Sequence, residues 1–495
     1  MLSLMTSTST LEPQVTQSNS DTNWSPRLWG LLITLCVVLF LDGLDVSMVG
    51  VALPSVGHDL GLGTSSLQWL ISGYVLGYGG LLLLGGRTAD LLGRRKVFLI
   101  ALAVFAFASL LGGVVDSGPL LIATRFIKGL AAAFTAPTGL SIITTTFPEG
   151  KARNKALSIY TLFGASGYSS GLIFGGLMTG LGWRWTFLLP VPIALVALVA
   201  AYLLLPRDKA DTKGGYDLVG AVLSTGAMLL LVYTVVAAPE AGWLSVRTLA
   251  SFLAVVVLLV AFVFVERRVP HPLIRLGILR RGTLIRANIA IIAMAGSYFS
   301  FQFIVTLYLQ NTLGWSPLAL AMALLPAGLL VAFSAPVADK IIDRFGTARL
   351  IIVALAAMAI GYFLFLRVDT HPAYLTMLLP SVLLLGFGFA VGFPSINIQA
   401  TSGVDDDEQG LAAGLVQTAM QVGAAIVLAI TTAIIAVDPD VTDPAKVLDA
   451  YRPGFWFVGF VAVAGTVAAL AHLIRRPGDK VGAVAADGEP VRTEV

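Results

Sequence analysis

Long apolar stretches separated by short polar connections dominate the pattern of hydrophobic and polar residues along this chain. Each stretch lasts about 20 residues or more, the length that an α-helix needs to cross a hydrocarbon layer about 30 Å thick at 1.5 Å per residue. None of the stretches alternates in polarity, which excludes a β-barrel. The pattern predicts an all-α chain with fourteen transmembrane helices, at residues 28–53, 64–85, 96–115, 119–143, 156–180, 184–205, 216–237, 247–265, 287–311, 317–338, 349–367, 373–398, 409–437 and 454–474.

Composition supports a polytopic membrane protein and argues against other classes. Hydrophobic residues make up 57% of the chain, charged residues 12%, and the mean hydropathy is +0.88, values that fit no soluble globular domain. The net charge of +3 is too slight to indicate nucleic-acid binding. Cys36 is the only cysteine, which excludes disulfides within the chain. Without a phosphate-binding P-loop motif or histidines at metal-ligand spacing, we expect no ATP use, metal, cofactor or enzymatic activity.

The distribution of basic residues predicts the orientation of the chain in the membrane. With the N-terminus inside the cell, the cytoplasmic segments contain 24 of the 31 Lys and Arg residues and the opposite side contains 5. Basic residues are retained on the cytoplasmic side. We therefore expect both termini to be cytoplasmic, in a cell inner membrane or plasma membrane, and we expect a monomer.

A repeated loop pattern indicates two related halves. The segment GGRTADLLGRRK after the second stretch and the segment VADKIIDRFGTAR after the tenth share an acid, a glycine three residues on and a base three residues further. Transporters build two bundles from such repeats, although short basic loops also resemble each other by chance. The predicted parts are a disordered N-terminal tail (1–27), a six-helix bundle (28–205), an inserted helix pair (206–286), a second six-helix bundle (287–474) and a C-terminal tail (475–495).

Only four side chains that carry charge at neutral pH lie well inside the apolar stretches: Asp42, Asp45, Arg125 and Lys128. An ionised group in hydrocarbon is unfavourable unless it is paired or hydrated, so such residues indicate a functional site. The acids and bases fall in the same order of depth on antiparallel helices, and residues three apart share a helix face. This favours two stacked pairs, Asp45 with Arg125 and Asp42 with Lys128. The alternative is a static salt bridge that only fixes the helix register.

Four motifs occur in a fixed order between about residue 28 and residue 475. They are LDVSMVGVALP from Leu44 to Pro54; a loop motif of Gly86, Asp90, Gly93, Arg94 and Arg95; Arg125 with Gly129; and a glycine series at Gly167, Gly171, Gly175 and Gly176 that is followed by WRWTF from Trp183. This ordered set resembles the fourteen-span drug:proton antiporter branch of the major facilitator superfamily. Two positions depart from the family pattern: Leu172 stands where a proline is usual, and Lys128 stands where a glutamine is common.

The resemblance implies roles for the motif residues. Asp45 and Arg125 are implied to be the proton-site pair, and a carboxyl group whose burial and cation contacts change between conformations is suited to that task. The loop motif, with Asp343 and Arg344 of the repeated loop, is implied to latch the two bundles together; simple retention by positive charge is the alternative. The glycine series is implied to be the antiporter signature, with plain helix packing as the alternative.

The function that follows is proton-driven export of lipophilic small molecules such as drugs, antibiotics or dyes. The alternative is a dedicated carrier of one endogenous metabolite or self-made antibiotic, and a membrane receptor without transport is a third hypothesis. The second bundle lacks an acid within its spans 9, 10, 12 and 13, which favours a neutral, singly charged or zwitterionic substrate. Aromatic faces and amides near mid-membrane are the candidates for binding it: Tyr74, Tyr78, Phe134, Tyr168, Tyr298, Phe299, Gln302 and Asn397.

Overall fold

The computed structural model describes residues 24–148, 150–207, 217–269, 277–404, 408–435 and 443–475. Within these ranges the chain is all-helical and has no β-strand, as the sequence predicts. The α-helices are α1 (Pro26–Leu60), α2 (Thr64–Leu92), α3 (Arg94–Val114), α4 (Gly118–Thr146), α5 (Lys151–Leu181), α6 (Trp185–Leu188), α7 (Pro190–Leu204), α8 (Leu218–Ala241), α9 (Val246–Glu266), α10 (Gly282–Thr306), α11 (Pro317–Phe345), α12 (Thr347–Phe365), α13 (Leu379–Thr401), α14 (Gln409–Ile434) and α15 (Pro444–Arg475).

Three short helical turns of other types adjoin these helices. A 3-10 turn at Ile278–Arg280 precedes α10, and a π-helical turn at Leu307–Thr312 continues it. A second π-helical turn, at Tyr374–Leu378, leads into α13. None of these local changes of winding is visible in the pattern of apolar residues.

Twelve helical segments among the described residues are long and apolar enough to cross a membrane. The helices α2 and α5 are not among them, although they have 29 and 31 residues. Each contains positions whose side chains lie outside the described part of the chain. Twelve of the expected spans are therefore supported, and the count of fourteen stays a prediction. The helix α2 packs along α4, and α5 packs along α1.

The two copies of the repeated loop share one backbone feature. A single glycine joins α2 to α3 at Gly93, with φ of +93°, and a single glycine joins α11 to α12 at Gly346, with φ of +78°. A side chain at either position would be strained, because L-residues other than glycine rarely adopt such angles. The glycine that the repeat shares therefore has a structural reason in both loops.

The first and second halves of the chain meet where α2 packs with α14 and α5 packs with α11, and α1 also contacts α10 and α11. We call the end of the molecule where α1 passes into α2 the α1–α2 end, and the opposite end the α2–α3 end. Near the α1–α2 end, Gln310 donates a hydrogen bond from Nε2 to the Val51 carbonyl at 2.9 Å. Val51 also packs in a small buried cluster with Leu172 of α5 and Ala321 of α11. The two halves are therefore in close contact there.

The helices α8 and α9 lie beside these halves. A buried cluster joins Val75 of α2, Val235 of α8 and Ala425 of α14, so α8 covers the place where α2 meets α14. The helix α9 packs on α8, and most of its surface is exposed and apolar. An exposed apolar face of this length is suited to contact with lipid.

Candidate functional site

Asp45 accepts hydrogen bonds from two cations at once. Its Oδ2 atom accepts from Nη1 of Arg125, and its Oδ1 atom accepts from Nζ of Lys128. At most 2% of any of these three side chains is exposed. The predicted contact between Asp45 and Arg125 is present, but the predicted pairing of Asp42 with Lys128 is wrong. Arg125 and Lys128 lie about one turn apart on one face of α4, and the two oxygens of a single carboxylate serve both.

Arg125 is held by the backbone and by an aromatic ring as well. Its Nε atom donates to the Leu70 carbonyl at 3.0 Å, and its guanidinium lies 4.7 Å from the centre of the Tyr74 ring. The Tyr78 ring lies 6.0 Å from that of Tyr74. These two predicted substrate-binding tyrosines therefore lie on α2 beside the charged residues, where Tyr74 makes a cation–π contact.

Lys128 is enclosed by α3 and α6. Its Nζ atom donates to Oγ of Ser109 at 3.0 Å and lies 4.8 Å and 5.4 Å from the ring centres of Phe105 and Phe187. Ser109 donates in turn to the Phe187 carbonyl at 2.7 Å. The ammonium group thus has one carboxylate partner, one hydroxyl partner and two aromatic faces, so water is not needed to solvate it.

Asp42 lies one turn before Asp45 on α1 and has different surroundings. It is 7% exposed, and its Oδ2 atom is buried without a hydrogen-bond partner in the described part of the chain. The charges of Asp45 and Lys128 act on it, and Thr135 of α4 is a polar neighbour. The four predicted residues therefore lie in one region, but only three of them are directly bonded. We call Asp42, Asp45, Arg125 and Lys128 the charge cluster.

Four of the predicted substrate-binding residues meet where α5 faces α10. The Tyr168 hydroxyl donates to Oε1 of Gln302 across the two halves, and the Tyr168 ring lies 6.4 Å from the rings of both Tyr298 and Phe299. Phe389 of α13 extends this group at 5.2 Å from Tyr298, a neighbour that the sequence did not indicate. We call Tyr168, Tyr298, Phe299 and Gln302 the interface aromatic group. A small cavity beside it is lined by Tyr298, Phe301, Gln302, Leu324, Ala327, Val382 and Leu385.

The remaining two predicted substrate-binding residues lie apart from this group. Asn397 is half-buried and donates from Nδ2 to the Phe393 carbonyl of its own helix at 2.8 Å. Phe134 is half-buried on α4, at a point where α2 approaches closely: a Cβ at Gly85 would lie 3.1 Å from the Phe134 Cα. Among the described residues, neither has a hydrogen bond or ring contact with the interface aromatic group.

The loop-motif residues lie at the α2–α3 end. The Asp90 side chain is outside the described part of the chain. Arg95 donates from Nη2 to the Tyr202 carbonyl at 2.6 Å, which ties α3 to α7 within the first half. Asp343 and Arg344 are exposed at the end of α11. The described contacts of Arg95 are therefore within the first half of the chain.

A second cluster of charges, which the sequence did not indicate, lies at the α1–α2 end. Arg184 bonds to Asp59 at 2.8 Å and also to Asp116, and Nε1 of Trp183 donates to Asp59 at 2.8 Å. The hydrogen bond to Asp59 raises the pKa of Arg184, which lies outside the membrane-spanning helices. The WRWTF motif therefore joins the ends of α1 and α5 to the loop between α3 and α4.

Comparison with known proteins identifies the family. The profile of the Major Facilitator Superfamily matches residues 35–428 and 289–493. The chain belongs to the Major Facilitator Superfamily. The puromycin resistance protein pur8 of Streptomyces alboniger is 38% identical over 90% of this chain and 89% of its own length. The cephamycin export protein CmcT of Amycolatopsis lactamdurans is 35% identical over 90% of this chain and 92% of its own length.

Solved structures of the same fold agree with this assignment. The nucleoside transporter NupG superposes with a TM-score of 0.63 at 13% identity, covering 89% of this chain and 99% of its own. The xylose transporter XylE from E. coli, in a partially occluded inward-open conformation, gives a TM-score of 0.61 at 16% identity. The superposition covers 92% of this chain and 100% of XylE. The likeness shows the Major Facilitator Superfamily fold. The predicted superfamily is confirmed, whereas the fourteen-span drug:proton antiporter branch stays a prediction.

In this member of the superfamily, the glycine series brings α5 into direct contact with other helices. A Cβ at Gly171 would lie 2.0 Å from the Ser47 Oγ, and a Cβ at Gly167 would lie 2.4 Å from the Phe40 carbonyl oxygen, both on α1. Gly175 also faces α1, whereas Gly176 faces α11, with its added Cβ 2.8 Å from the Leu318 Cα. These contacts support the packing role that was the alternative to a signature of antiport.

Proposed function

We propose that this protein is a secondary transporter that exports lipophilic small molecules across the cytoplasmic membrane in exchange for protons, by alternating access. The membership of the Major Facilitator Superfamily supports transport. Relatives named for puromycin resistance, cephamycin export, and tetracenomycin C resistance and export support antibiotic-like substrates.

The observation that carries the proton-coupled part is the charge cluster. Its ionisable groups are buried in a helix bundle, and the energy of such groups depends strongly on whether a partner is in place. When the bundles tilt, α1 and α4 change their solvation, and a carboxyl group there then binds or releases a proton. The same residues in a rigid protein would serve only as a salt bridge.

The interface aromatic group is the proposed substrate site. It joins the two halves, it presents aromatic rings together with an amide, and a cavity adjoins it. Substrates of superfamily transporters bind between the bundles near mid-membrane. Aromatic rings suit flat, neutral or singly charged lipophilic compounds.

The proposed topology has fourteen spans, with α2 and α5 added to the twelve segments that qualify by length and composition. The two six-helix bundles and the inserted pair keep the boundaries given above, and both termini are cytoplasmic. The α2–α3 end is then the cytoplasmic end. The loop motif with Asp90 and Arg94 and the repeated loop with Asp343 and Arg344 are proposed to latch the bundles there.

A dedicated exporter of one self-made antibiotic is the second candidate. The names of pur8, from Streptomyces alboniger, and of CmcT, from Amycolatopsis lactamdurans, each mention one compound. Export of puromycin alone, without export of cationic dyes such as ethidium, would favour this candidate over multidrug efflux.

The experiment is puromycin transport in vesicles that contain the purified protein, with a pH gradient imposed across the membrane. Protein-free vesicles measure passive movement of this weak base. We expect the gradient to drive puromycin across the membrane faster where the protein is present than in protein-free vesicles, and Asp45→Asn to abolish that difference. Transport that proceeds at the same rate without the gradient would exclude proton exchange.

A further inference from the structure

The two aspartates of α1 have unequal access to hydrogen-bond donors. Both oxygens of Asp45 are bonded, one to Arg125 and one to Lys128. Asp42 has a buried oxygen without a partner among the described residues, and the side chain keeps 7% of its surface exposed. Both oxygens of the Asp45 carboxylate are therefore bonded to cations, whereas one oxygen of Asp42 lacks a hydrogen-bond donor.

Protonation of Asp45 would be unfavourable in this arrangement. A proton on either oxygen would remove the negative charge on which the bonds from Arg125 and Lys128 depend. Arg125 and Lys128 would then both lose the carboxylate to which they are bonded, and a buried charge that loses its bonded partner is strongly destabilising. Asp45 therefore stays ionised as long as both cations remain beside it.

Asp42 can take either protonation state in the same surroundings. When it is ionised, it balances the single excess positive charge of Asp45, Arg125 and Lys128, so the charge cluster is neutral. When it is protonated, the carboxyl group is neutral, so its burial no longer requires the desolvation of a charge. The charged groups that face it are Asp45 and Lys128, and its other polar neighbours are Thr135 of α4, Tyr74 and Tyr78 of α2, and Tyr160 of α5.

We propose that Asp42 is the carboxyl group that takes up and releases the transported proton, and that Asp45 stays ionised between Arg125 and Lys128. This proposal rests on the proton exchange proposed above. In each cycle an Asp42 carboxylate oxygen binds one proton from the outer side and gives it to water on the inner side, and no other bond changes. Lys128 causes the two aspartates to differ, because it donates a hydrogen bond to the second oxygen of Asp45.

The neighbour of Asp42 in the chain provides a mechanical link to the substrate site. A Cβ at Gly43 would lie 2.9 Å from the Gly164 carbonyl oxygen and 3.0 Å from the Tyr168 nitrogen, so α1 and α5 touch directly at this turn. Tyr168 bonds to Gln302 of the other half. A shift of α1 when Asp42 gains or loses its proton is therefore passed to a contact that joins the two halves.

The first test uses vesicles that contain the variants Asp42→Asn and Asp42→Glu. We expect Asp42→Asn to lower the rate of gradient-driven puromycin transport at least tenfold. The same variant should retain the exchange of labelled for unlabelled puromycin at equal pH on the two sides of the membrane. Asp42→Glu should restore the gradient-driven rate with a displaced pH profile. Asp449→Asn, the same change at an exposed site, is the matched control.

Two outcomes of this test are separable. Gradient-driven transport by Asp42→Asn at the wild-type rate would overturn the assignment of the proton to Asp42 and leave proton exchange itself intact. A wild-type protein that ignores the gradient would instead remove the proposed function on which the assignment rests.

A double variant tests the part assigned to Lys128. Asp42→Asn combined with Lys128→Gln leaves Asp45 with Arg125 alone, a neutral pair in which one carboxylate oxygen is free. We expect this double variant to recover gradient-driven transport, because Asp45 can then bind the proton. A folded double variant that exchanges puromycin but ignores the gradient would contradict the claim that Lys128 keeps Asp45 ionised.

The wild-type protein provides a test that needs no variant. Dicyclohexylcarbodiimide reacts with protonated carboxyl groups in apolar surroundings, and mass spectrometry of the peptides locates the adduct. We expect the adduct on Asp42. An adduct on Asp45, or none on Asp42 at a pH where the protein transports, would overturn the proposal.

Discussion

At the scale of single residues, the charge cluster depends on a balance between two bases and two acids that are all buried between helices. Arg125 combines one carboxylate, one backbone carbonyl and one aromatic face, and Lys128 combines one carboxylate, one hydroxyl and two aromatic faces. Such multiple contacts offset the desolvation of buried ions. Removing one member should therefore destabilise the protein more than removing a charge at the surface.

The change Arg125→Gln tests this balance. Loss of the guanidinium leaves Asp45 with one cation and the Leu70 carbonyl without its donor, and breaking a buried pair costs about 3–5 kcal/mol. We expect Tm in detergent to fall by several degrees. The control is Arg184→Gln, which removes two partly exposed ion pairs and should change Tm little. Equal changes in Tm would show that the cluster is not a stabilising contact.

The sequence allowed the four charged residues and the contact of Asp45 with Arg125 to be predicted, because an ion in an apolar helix is conspicuous. It did not allow the partner of Lys128 to be predicted. Helical rise gives the depth of each Cα, but Arg and Lys side chains are long and flexible, and one carboxylate has two oxygens. Side-chain reach therefore decided the pairing.

At the scale of helices, the close packing of α5 against α1 is a main contact within the first half of the chain. Glycines at Gly167, Gly171 and Gly175 face α1, and Gly43 of α1 faces α5, so backbone meets backbone. Small residues at such contacts replace the hydrophobic driving force that helices lack in lipid.

Gly171→Ala should disturb this contact. The added Cβ would lie 2.0 Å from Ser47 Oγ and 2.5 Å from the Leu44 carbonyl oxygen. Overpacking of this kind costs about 1–3 kcal/mol, so we expect a lower Tm and slower transport. Gly180→Ala is the matched control on the same helix, because nothing lies within 4 Å of its added Cβ. If Gly171→Ala and Gly180→Ala have the same Tm, the contact of Gly171 with α1 does not limit helix packing.

Apolar stretches predicted the existence of the helices better than their ends. The first stretch was expected at residues 28–53, whereas α1 runs from Pro26 to Leu60, because a helix continues past the apolar core into the polar boundary. The break between α6 and α7 and the π-helical turns depend on backbone hydrogen bonding that apolar periodicity does not record. The sequence showed the positions of the glycines, but only the structure showed which neighbouring helix each glycine contacts.

At the scale of the whole molecule, the contacts that join the two halves are the ones a transport cycle has to rearrange. The bond between Tyr168 and Gln302 is one, and the bond from Gln310 to the Val51 carbonyl is another. Alternating access requires that such contacts form in one state and break in another. The sequence predicted the residues of the first contact as substrate candidates but did not show that they bond to each other.

Tyr168→Phe and Gln302→Leu should show coupled effects on stability. Each change removes the same hydrogen bond. The double variant should therefore lose less free energy of unfolding than the two single variants lose together, with a coupling energy of about 1 kcal/mol. Tyr374→Phe combined with Gln302→Leu is the control, because the Tyr374 hydroxyl bonds to the Ala323 carbonyl within the second half. Additive effects of Tyr168→Phe and Gln302→Leu on Tm would argue against this bond.

The proposed fourteen-span topology predicts which side of the membrane each loop faces. In a Cys36→Ser background, Gly63→Cys should react with an impermeant maleimide on intact cells, because its loop faces outside. Leu92→Cys, at the other end of α2, should react with the maleimide only after the cells are permeabilised. Labelling of both positions from the same side would mean that α2 does not cross.

The central claim is that substrate and proton cross the membrane in opposite directions, and the most direct test measures both fluxes together. Vesicles are loaded with puromycin and a pH-sensitive dye, no pH gradient is imposed, and valinomycin with potassium removes the membrane potential. We predict that puromycin efflux acidifies the interior in vesicles with the wild-type protein, beyond the change in protein-free vesicles. Puromycin efflux through the protein that leaves the internal pH unchanged would contradict the account.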